Sequence, residues 1–303
     1  MTMNAKNFYD LTEKTLINLA NTKGIDEKEL ARYYELTDYD EQSVLMSDYF
    51  QKNPMAQLFA QIALHGQNAT MLSSIVKFDD NIEFLKDKLC GFDPNEFLKE
   101  YPANGRDNSI LRIINTLRYD ENTNQGLKWD SSKSKEGNKD KLIRRFANTL
   151  MDAAIFLSKF ESREDFKEKL KNEYPNNNYK QVINYFKGNF SQGFSIALTC
   201  DFLKEFDKAF SDLPKPDVHI QDTLCALNSK KKGYYNSSDK KQFECIKDMQ
   251  NLTKEINDNL DENKKITVYK LDKMIWLICS GSFYLHDRGN IKQSYLNQIS
   301  GTK

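Results

Sequence analysis

The residues best suited to chemistry lie in one stretch of the second half of the chain, from Asn189 to Asp222. This stretch begins with a tight turn, Ser191-Gln192-Gly193, between two segments that have helical spacing. A glycine turn that leads into a helix exposes backbone N–H groups at the positive end of the helix dipole, where anions bind readily. Two helices joined in this way can hold a DNA phosphate without reading the base sequence. The turn is therefore predicted to be a phosphate site.

A carboxylate follows the next loop. Asp217 comes after Pro214 and Pro216 and stands at the predicted start of a helix that begins at Val218. An Asp at this position accepts hydrogen bonds from backbone N–H groups, which favours its ionised form. A plain capping residue with no chemical role fits the same pattern. His219 is expected to donate a hydrogen bond to a backbone carbonyl or a phosphate rather than to carry protons.

The order and spacing of these features resemble the helix–hairpin–helix/GPD superfamily of DNA base-excision glycosylases. In that family a hairpin of pattern Gly-x-Gly-x-x-x-Ala is followed, further along the chain, by Asp-x-His. Gly193 matches the second hairpin glycine, Ala197 matches the small helix-packing residue, and Asp217-Val218-His219 matches the segment with the catalytic aspartate. The resemblance is best over about residues 140–285, where residues 267–285 also look like the closing helix of uncharacterised members.

The resemblance implies an enzyme that bends duplex DNA, extrudes one nucleotide and hydrolyses the N-glycosidic bond of a damaged or modified base. Cleavage of that bond passes through an oxocarbenium-like sugar, which the Asp217 carboxylate would stabilise while it orients the attacking water. The hairpin residues, with Ser195 and His219, would hold the DNA backbone.

An extruded base also needs an aromatic wall. The candidates in the late helix and just after it are Trp276, Phe283 and Tyr284. Trp276 stands on an apolar helix, so packing in the core fits it as well as stacking on a base.

The sequence departs from the family pattern at two positions of the hairpin. Ser191 stands where the family has its first hairpin glycine, so the phosphate contact is less standard. Ser195 stands where bifunctional members carry a lysine, so a Schiff-base route to strand cleavage loses its usual nucleophile. A monofunctional enzyme that leaves an abasic site is therefore expected, with Lys215 the nearest amine for any lyase activity. The iron–sulfur cysteine pattern of some members is absent, and no cofactor or metal is predicted.

The spacing of apolar residues predicts a mainly α chain with no clear strand. Only 12 Gly and 6 Pro occur, which argues against a turn-rich β-sandwich or barrel. Helices are predicted over 8–20, from 26, and over 55–64, 82–89, 93–101, 109–117, 141–159, 162–173, 180–186, 194–206, 218–227, 243–260 and from 267 to before 281.

The chain is expected to form two helical subdomains, with the helix–hairpin–helix motif and an interdomain cleft. In the resembled fold, the hairpin and the catalytic aspartate face each other across that cleft. The predicted parts are an N-terminal helical part (1–125), a flexible basic loop (126–140) and a glycosylase-like part (141–303). Between Lys128 and Arg145, seven basic residues stand against three acidic ones. This segment is either a solvated loop or an edge that contacts phosphate.

The overall composition limits the possible partners. The 303 residues include 44 Lys and Arg against 44 Asp and Glu, so the net charge is zero. Balanced charge excludes a protein that simply coats polyanions, although a local basic face is enough for DNA. The 19 Phe and 15 Tyr supply core material and argue against global disorder, despite a mean hydropathy of −0.72.

The predicted compartment is the cytoplasm, at the nucleoid if the protein binds DNA. No apolar run approaches the roughly 20 residues of a membrane span. Residues 1–19 contain Asp10 and Glu13 and lack the apolar centre of a signal peptide. The five scattered cysteines form no zinc-spaced group and fit free thiols in a reducing cytosol. Double-stranded DNA is the expected partner, and no membrane.

Two other classes of function stay open at this point. A catalytically silent helix–hairpin–helix protein would bind DNA through the same hairpin and release no base. A helical protein-interaction module would bind no DNA even at low salt, and the hairpin resemblance would then be accidental. Zero net charge favours these alternatives, whereas the basic segment 128–145 and Lys230-Lys231-Lys232 favour DNA.

Overall fold

The computed structural model describes residues 3–34, 44–66, 76–119, 126–128, 137–280 and 288–301. These residues form fifteen α-helices and no β-strand, which confirms the mainly helical prediction. In chain order the helices are α1 (Ala5–Thr22), α2 (Glu27–Tyr34), α3 (Asp48–Lys52), α4 (Pro54–His65), α5 (Ile82–Lys88), α6 (Pro94–Glu100), α7 (Arg106–Leu117), α8 (Gly137–Leu157), α9 (Arg163–Asn172), α10 (Tyr179–Gly188), α11 (Ile196–Phe206), α12 (Val218–Leu227), α13 (Asp239–Asn257), α14 (Val268–Ser280) and α15 (Arg288–Ser300). None of these helices is long and apolar enough to cross a membrane.

The chain forms two compact units. Unit 1 contains Met1–Asp38 and Leu203–Lys303, and unit 2 contains Tyr39–Phe202. The parts predicted from the sequence, 1–125, 126–140 and 141–303, follow chain order, whereas unit 1 combines the two ends of the chain.

The core of unit 1 explains why the N-terminal helix belongs with the C-terminal part. Helix α1 packs on α13 and α14, and its Leu16 is buried among residues such as Leu271 and Ile275 of α14. The hydroxyls of Thr12 and Tyr295 lie 2.8 Å apart in this core. Since these partners are far apart in sequence, local spacing alone does not reveal the association.

Unit 2 is built around α8, which packs against α4, α6 and α7. Its buried stripe includes Phe146, Leu150 and Phe156, as the apolar spacing predicts. At the end of the unit that carries the predicted hairpin, an aromatic cluster surrounds Phe186, with ring centroids 4.7–5.8 Å from this ring; its neighbours are Phe156, Phe190, Phe194 and Phe202.

Two helices begin earlier than their apolar stripes indicate. Helix α8 starts at Gly137, within the predicted loop 126–140, and α13 starts at Asp239 rather than Phe243. In α13, the Ser238 side chain accepts a hydrogen bond from the Lys241 N–H and caps the first turn. A first turn without apolar residues is invisible to periodicity, because it is held by its cap and by backbone bonds rather than by burial.

Candidate phosphate contact and the Asp217 loop

Residues 189–195 connect α10 to α11 and form the predicted hairpin; they are called the connection below. Phe190 and Phe194 anchor the connection in the core, since both rings are buried and their centroids lie 4.5 Å apart. Between them, Ser191 donates its backbone N–H and its hydroxyl to the same Asp152 oxygen, at 2.8 and 2.6 Å. The other Asp152 oxygen receives Arg106 Nη1 at 2.7 Å. The connection is thus fixed to α8 by a buried carboxylate.

Gly193 allows the connection to approach α8 closely. Its φ is +97°, and a Cβ placed there would lie 2.1 Å from Thr149 Oγ1. Thr149 in turn donates its hydroxyl to the Arg145 carbonyl at 3.0 Å and lies 3.4 Å from the Gln192 carbonyl. Only glycine meets both the backbone conformation and the lack of space.

The start of α11 presents a group of unused donors. In the described part of the chain, the backbone N–H groups of residues 192–197 have no acceptor. The Ser195 hydroxyl caps the helix by accepting from the Leu198 N–H at 3.3 Å. Ser191, Gln192 and Ser195 are exposed. Free N–H groups at a helix N-terminus lie at the positive end of the helix dipole, which is a general setting for anion binding.

A row of cations runs along α8 toward Asp152. Lys141 lies three residues before Arg144 and four before Arg145, and Arg145 lies seven residues before Asp152, so these positions are neighbours along one side of the helix. Lys141 and Arg144 are exposed and Arg145 is half-buried. Among the described residues none of the three pairs with a carboxylate. These three residues are called the basic row.

The Asp217 loop lies in unit 1. As the sequence predicts, Asp217 caps α12: its Oδ1 accepts the N–H groups of His219 at 2.8 Å and Ile220 at 3.1 Å. Asp217 is half-buried, and within the described chain its Oδ2 has no hydrogen-bond donor. One carboxylate oxygen is therefore fixed and the other is available to a ligand.

The segment before Asp217 is held by contacts from three helices. Gln221 of α12 donates to the Pro216 carbonyl at 2.6 Å, and Gln250 of α13 donates to the Asp212 carbonyl at 2.9 Å. From α14, the Tyr269 N–H donates to the Ser211 carbonyl at 3.0 Å. A loop fixed at this many points holds the side chain at its end in one place.

A fourth contact comes from a buried ion pair. Asp272 Oδ2 accepts the backbone N–H of Lys215 at 2.8 Å and the ammonium of Lys204 at 2.6 Å. Both charged side chains are only 2% exposed.

His219 lies beside a second ion pair. Its Nδ1 is 3.4 Å from Lys292 Nζ, which donates to Asp222 Oδ2 at 2.7 Å. Burial lowers the pKa of His219, with Asp217 opposing this effect and Lys292 adding to it. Since an ammonium only donates, the neutral ring accepts at Nδ1 and carries its proton on Nε2. The Nε2–H is then the ring's donor, and its predicted bond to a backbone carbonyl or a phosphate stays a prediction.

The residues predicted to stack on a base and the Lys230 cluster of lysines differ in their surroundings. Trp276 is partly buried against the core of unit 1. Phe283 and Tyr284 lie outside the described residues. Lys230, expected to favour DNA binding, instead pairs with Glu244 and Asp248 at 3.1 and 2.9 Å, so its charge is already balanced.

Sequence reasoning missed four residues that hold the connection and the Asp217 loop, namely Arg106, Asp152, Lys204 and Asp272. Each is a charged residue on a helix, where solvent exposure is the usual expectation. It also gave His65 no partner, whereas His65 Nδ1 lies 3.7 Å from Asp201 Oδ2. Within the described residues, no group of three or more His, Cys, Asp or Glu side chains could hold a metal ion.

Comparison of the chain with protein-family models, with curated proteins and with solved structures found no match.

Proposed function

We propose that the protein is a monofunctional DNA glycosylase that extrudes a damaged or modified base and hydrolyses its N-glycosidic bond. The observation that carries this proposal is the state of Asp217. One of its oxygens is fixed by two backbone N–H groups, and its other oxygen has no donor within the described chain. A carboxylate held in this way can face a developing positive charge without reorganising.

In the proposed reaction the bond between the base and C1′ breaks, and the base leaves with its electron pair. Asp217 Oδ2 stabilises the oxocarbenium-like sugar and orients a water molecule. The water supplies hydroxyl to C1′ and the released base gains a proton, so the products are a free base and an abasic site. Ser195 has no amine, so no imine forms at that position and the strand stays intact.

The proposed DNA contact is the connection together with the basic row. Free N–H groups at the start of α11 would bind one phosphate, and Lys141, Arg144 and Arg145 would bind others. Such contacts position DNA and carry no base sequence information. His219 would add a neutral N–H donor to the strand next to Asp217.

The test uses duplexes that each contain one damaged or modified base, incubated with wild-type protein and then assayed for abasic sites with alkali. Asp217→Asn is the decisive variant, because Asn caps a helix about as well as Asp but lacks the charge. The matched control is Asp207→Asn, since Asp207 caps the short helix Lys208–Phe210 of the same unit. Alkali-dependent cleavage by wild type and Asp207→Asn, but not by Asp217→Asn, is the expected result.

Other outcomes identify the alternatives. Cleavage without alkali would indicate a lyase amine, with Lys215 the first to replace. A normal rate in Asp217→Asn would remove the carboxylate from the mechanism. Salt-sensitive binding with no base released would favour a catalytically silent DNA-binding protein, which the basic row and the free N–H groups support independently of Asp217. No binding at low salt would favour a protein-interaction module.

A further inference from the structure

We propose that Asp272 is a positioning residue: paired with Lys204, its carboxylate fixes the turn from Lys215 to Asp217 and so sets the direction of the Asp217 carboxylate. The catalytic part of this inference rests on the function proposed for Asp217. The Leu271-Asp272-Lys273 segment belongs to α14, the late helix noted in the sequence.

The contacts of Asp272 with Lys204 and with the Lys215 N–H are short and buried from solvent. Asp272 Oδ2 lies 2.6 Å from Lys204 Nζ and 2.8 Å from the Lys215 nitrogen, and both charged side chains are 2% exposed. A carboxylate accepts shorter and stronger hydrogen bonds than a neutral group. The Lys215 N–H is therefore held more firmly than an ordinary loop amide.

The distance from Lys215 to Asp217 is only two residues. The Asp217 N–H donates back to the Lys215 carbonyl at 2.7 Å, which closes a three-residue turn with Pro216 in the middle. Gln221 holds the Pro216 carbonyl at 2.6 Å. Because proline also fixes one backbone torsion, little freedom remains between the Lys215 amide and Asp217. A fixed Lys215 amide therefore fixes the position of Asp217.

A neutral acceptor would be enough for the Lys215 N–H alone, so the presence of a buried charge needs a reason. Burying an ion pair costs desolvation energy, and apolar replacements are often neutral or stabilising. Burial raises the pKa of Asp272, and Lys204 acts against this rise. The Lys204 ammonium, 2.6 Å from Oδ2, thus favours the charged carboxylate, which is a stronger acceptor for the Lys215 N–H than a neutral group.

The test compares two double variants that both remove the ion pair. Lys204→Met/Asp272→Leu leaves the Lys215 N–H without an acceptor, whereas Lys204→Met/Asp272→Asn keeps a side-chain oxygen that can accept it. Since apolar replacement of a buried pair is tolerated, the first variant is expected to fold. Its single-turnover rate of base release should fall about 10- to 100-fold, the effect of a small misplacement. DNA affinity should change little, and the Asn variant, whose neutral oxygen is a weaker acceptor, should recover part of the rate.

A second measurement is independent of activity. Hydrogen exchange of the His219 and Ile220 amides reports whether Asp217 still caps α12 in its native position. Exchange at Lys215 is easily resolved, because both of its neighbours are proline. The Leu variant should lose protection at all three amides, and the Asn variant should keep part of it.

The outcomes separate this inference from the proposed function. If the Leu variant retains wild-type protection at His219 and Ile220, or releases base as fast as wild type, Asp272 does not position Asp217. If wild type releases no base from any duplex, the glycosylase proposal fails, and the exchange data alone decide whether Asp272 holds Asp217.

Discussion

Ser191 gives two hydrogen bonds to one oxygen of Asp152, one from its backbone N–H at 2.8 Å and one from its hydroxyl at 2.6 Å. A glycine at this position could make only the first of these bonds. Serine at this position therefore strengthens the attachment of the connection to α8. The hydroxyl bond is charge-assisted, which makes it one of the stronger types.

Replacing Ser191 by Ala should lower the free energy of unfolding by about 1–2 kcal/mol, because a hydrogen bond to a buried charged group is lost. Urea denaturation measures the change. The matched control is Ser47→Ala in the same unit, since Ser47 is exposed and its side chain makes no capping bond. That control should stay within about 0.5 kcal/mol of wild type. Equal effects of the two substitutions would mean that the Asp152 bond contributes nothing.

Replacing Gly193 by Ala should destabilise unit 2 by about 3 kcal/mol, since it combines backbone strain with a clash. The new Cβ would lie 2.1 Å from Thr149 Oγ1, at a φ of +97°. In a Thr149→Ala background the 2.1 Å contact is removed, and the backbone strain remains with a mild contact of 3.2 Å to the Cβ of residue 149, so the cost should fall to about half. Gly188→Ala is the control, because a Cβ there meets nothing within 4 Å. A thermal or urea double-mutant cycle that shows no coupling between positions 193 and 149 would contradict this account.

Helix positions could be predicted from the sequence because their signals are local. Asp93 caps α6 by accepting two backbone N–H groups and Ser162 caps α9 by accepting one, all within three residues along the chain. Asp217 is the same kind of signal, and its capping bonds follow from its place before Val218. Spacing and capping act within one helical turn, so a single sequence is sufficient to locate them.

The residues that hold the connection and the loop before Asp217 could not be predicted in this way. Asp152 and Ser191 are 39 residues apart, and Lys204 and Asp272 are 68 apart. Helical spacing shows which face a charged residue occupies, but not which helix packs against that face. The membership of α1 in unit 1 was hidden for the same reason, because it depends on long-range contacts such as Thr12 with Tyr295.

Replacing Arg144 and Arg145 together by Gln should weaken DNA binding and reduce its salt dependence. Each lost phosphate contact makes the slope of log K against log salt shallower by about 0.9, so the pair should change it by about 2. Binding of an unmodified duplex, measured by fluorescence anisotropy over a salt series, gives the slope. Arg112→Gln is the control, since Arg112 is exposed in the same unit but pairs with Glu100. An unchanged slope in the double variant would exclude the basic row from the DNA contact.

Lys230, Tyr234 and Lys241 form a cluster around Glu244, and the stability that this cluster contributes should depend on pH. Glu244 accepts hydrogen bonds from Lys241 at 2.7 Å, from the Tyr234 hydroxyl at 2.8 Å and from Lys230 at 3.1 Å. The bond from Lys241 is the main reason that the pKa of Glu244 falls to about 2. These contacts are formed with the charged carboxylate, so protonation should weaken the cluster.

The sign of the pH effect follows from linkage. Between the ordinary carboxyl pKa and about 2, the unfolded chain binds a proton that the folded Glu244 does not, so the stability from Glu244 is lost as the pH falls. Glu244→Gln should therefore cost about 1 kcal/mol near pH 7, because the group is partly exposed and screened, and progressively less toward pH 2. Urea denaturation of both proteins at several pH values measures this difference. Glu262→Gln, which removes a surface pair with Lys265, should show little difference from wild type at each pH. A constant gap between wild type and Glu244→Gln across the series would show that the carboxylate charge does not stabilise the cluster.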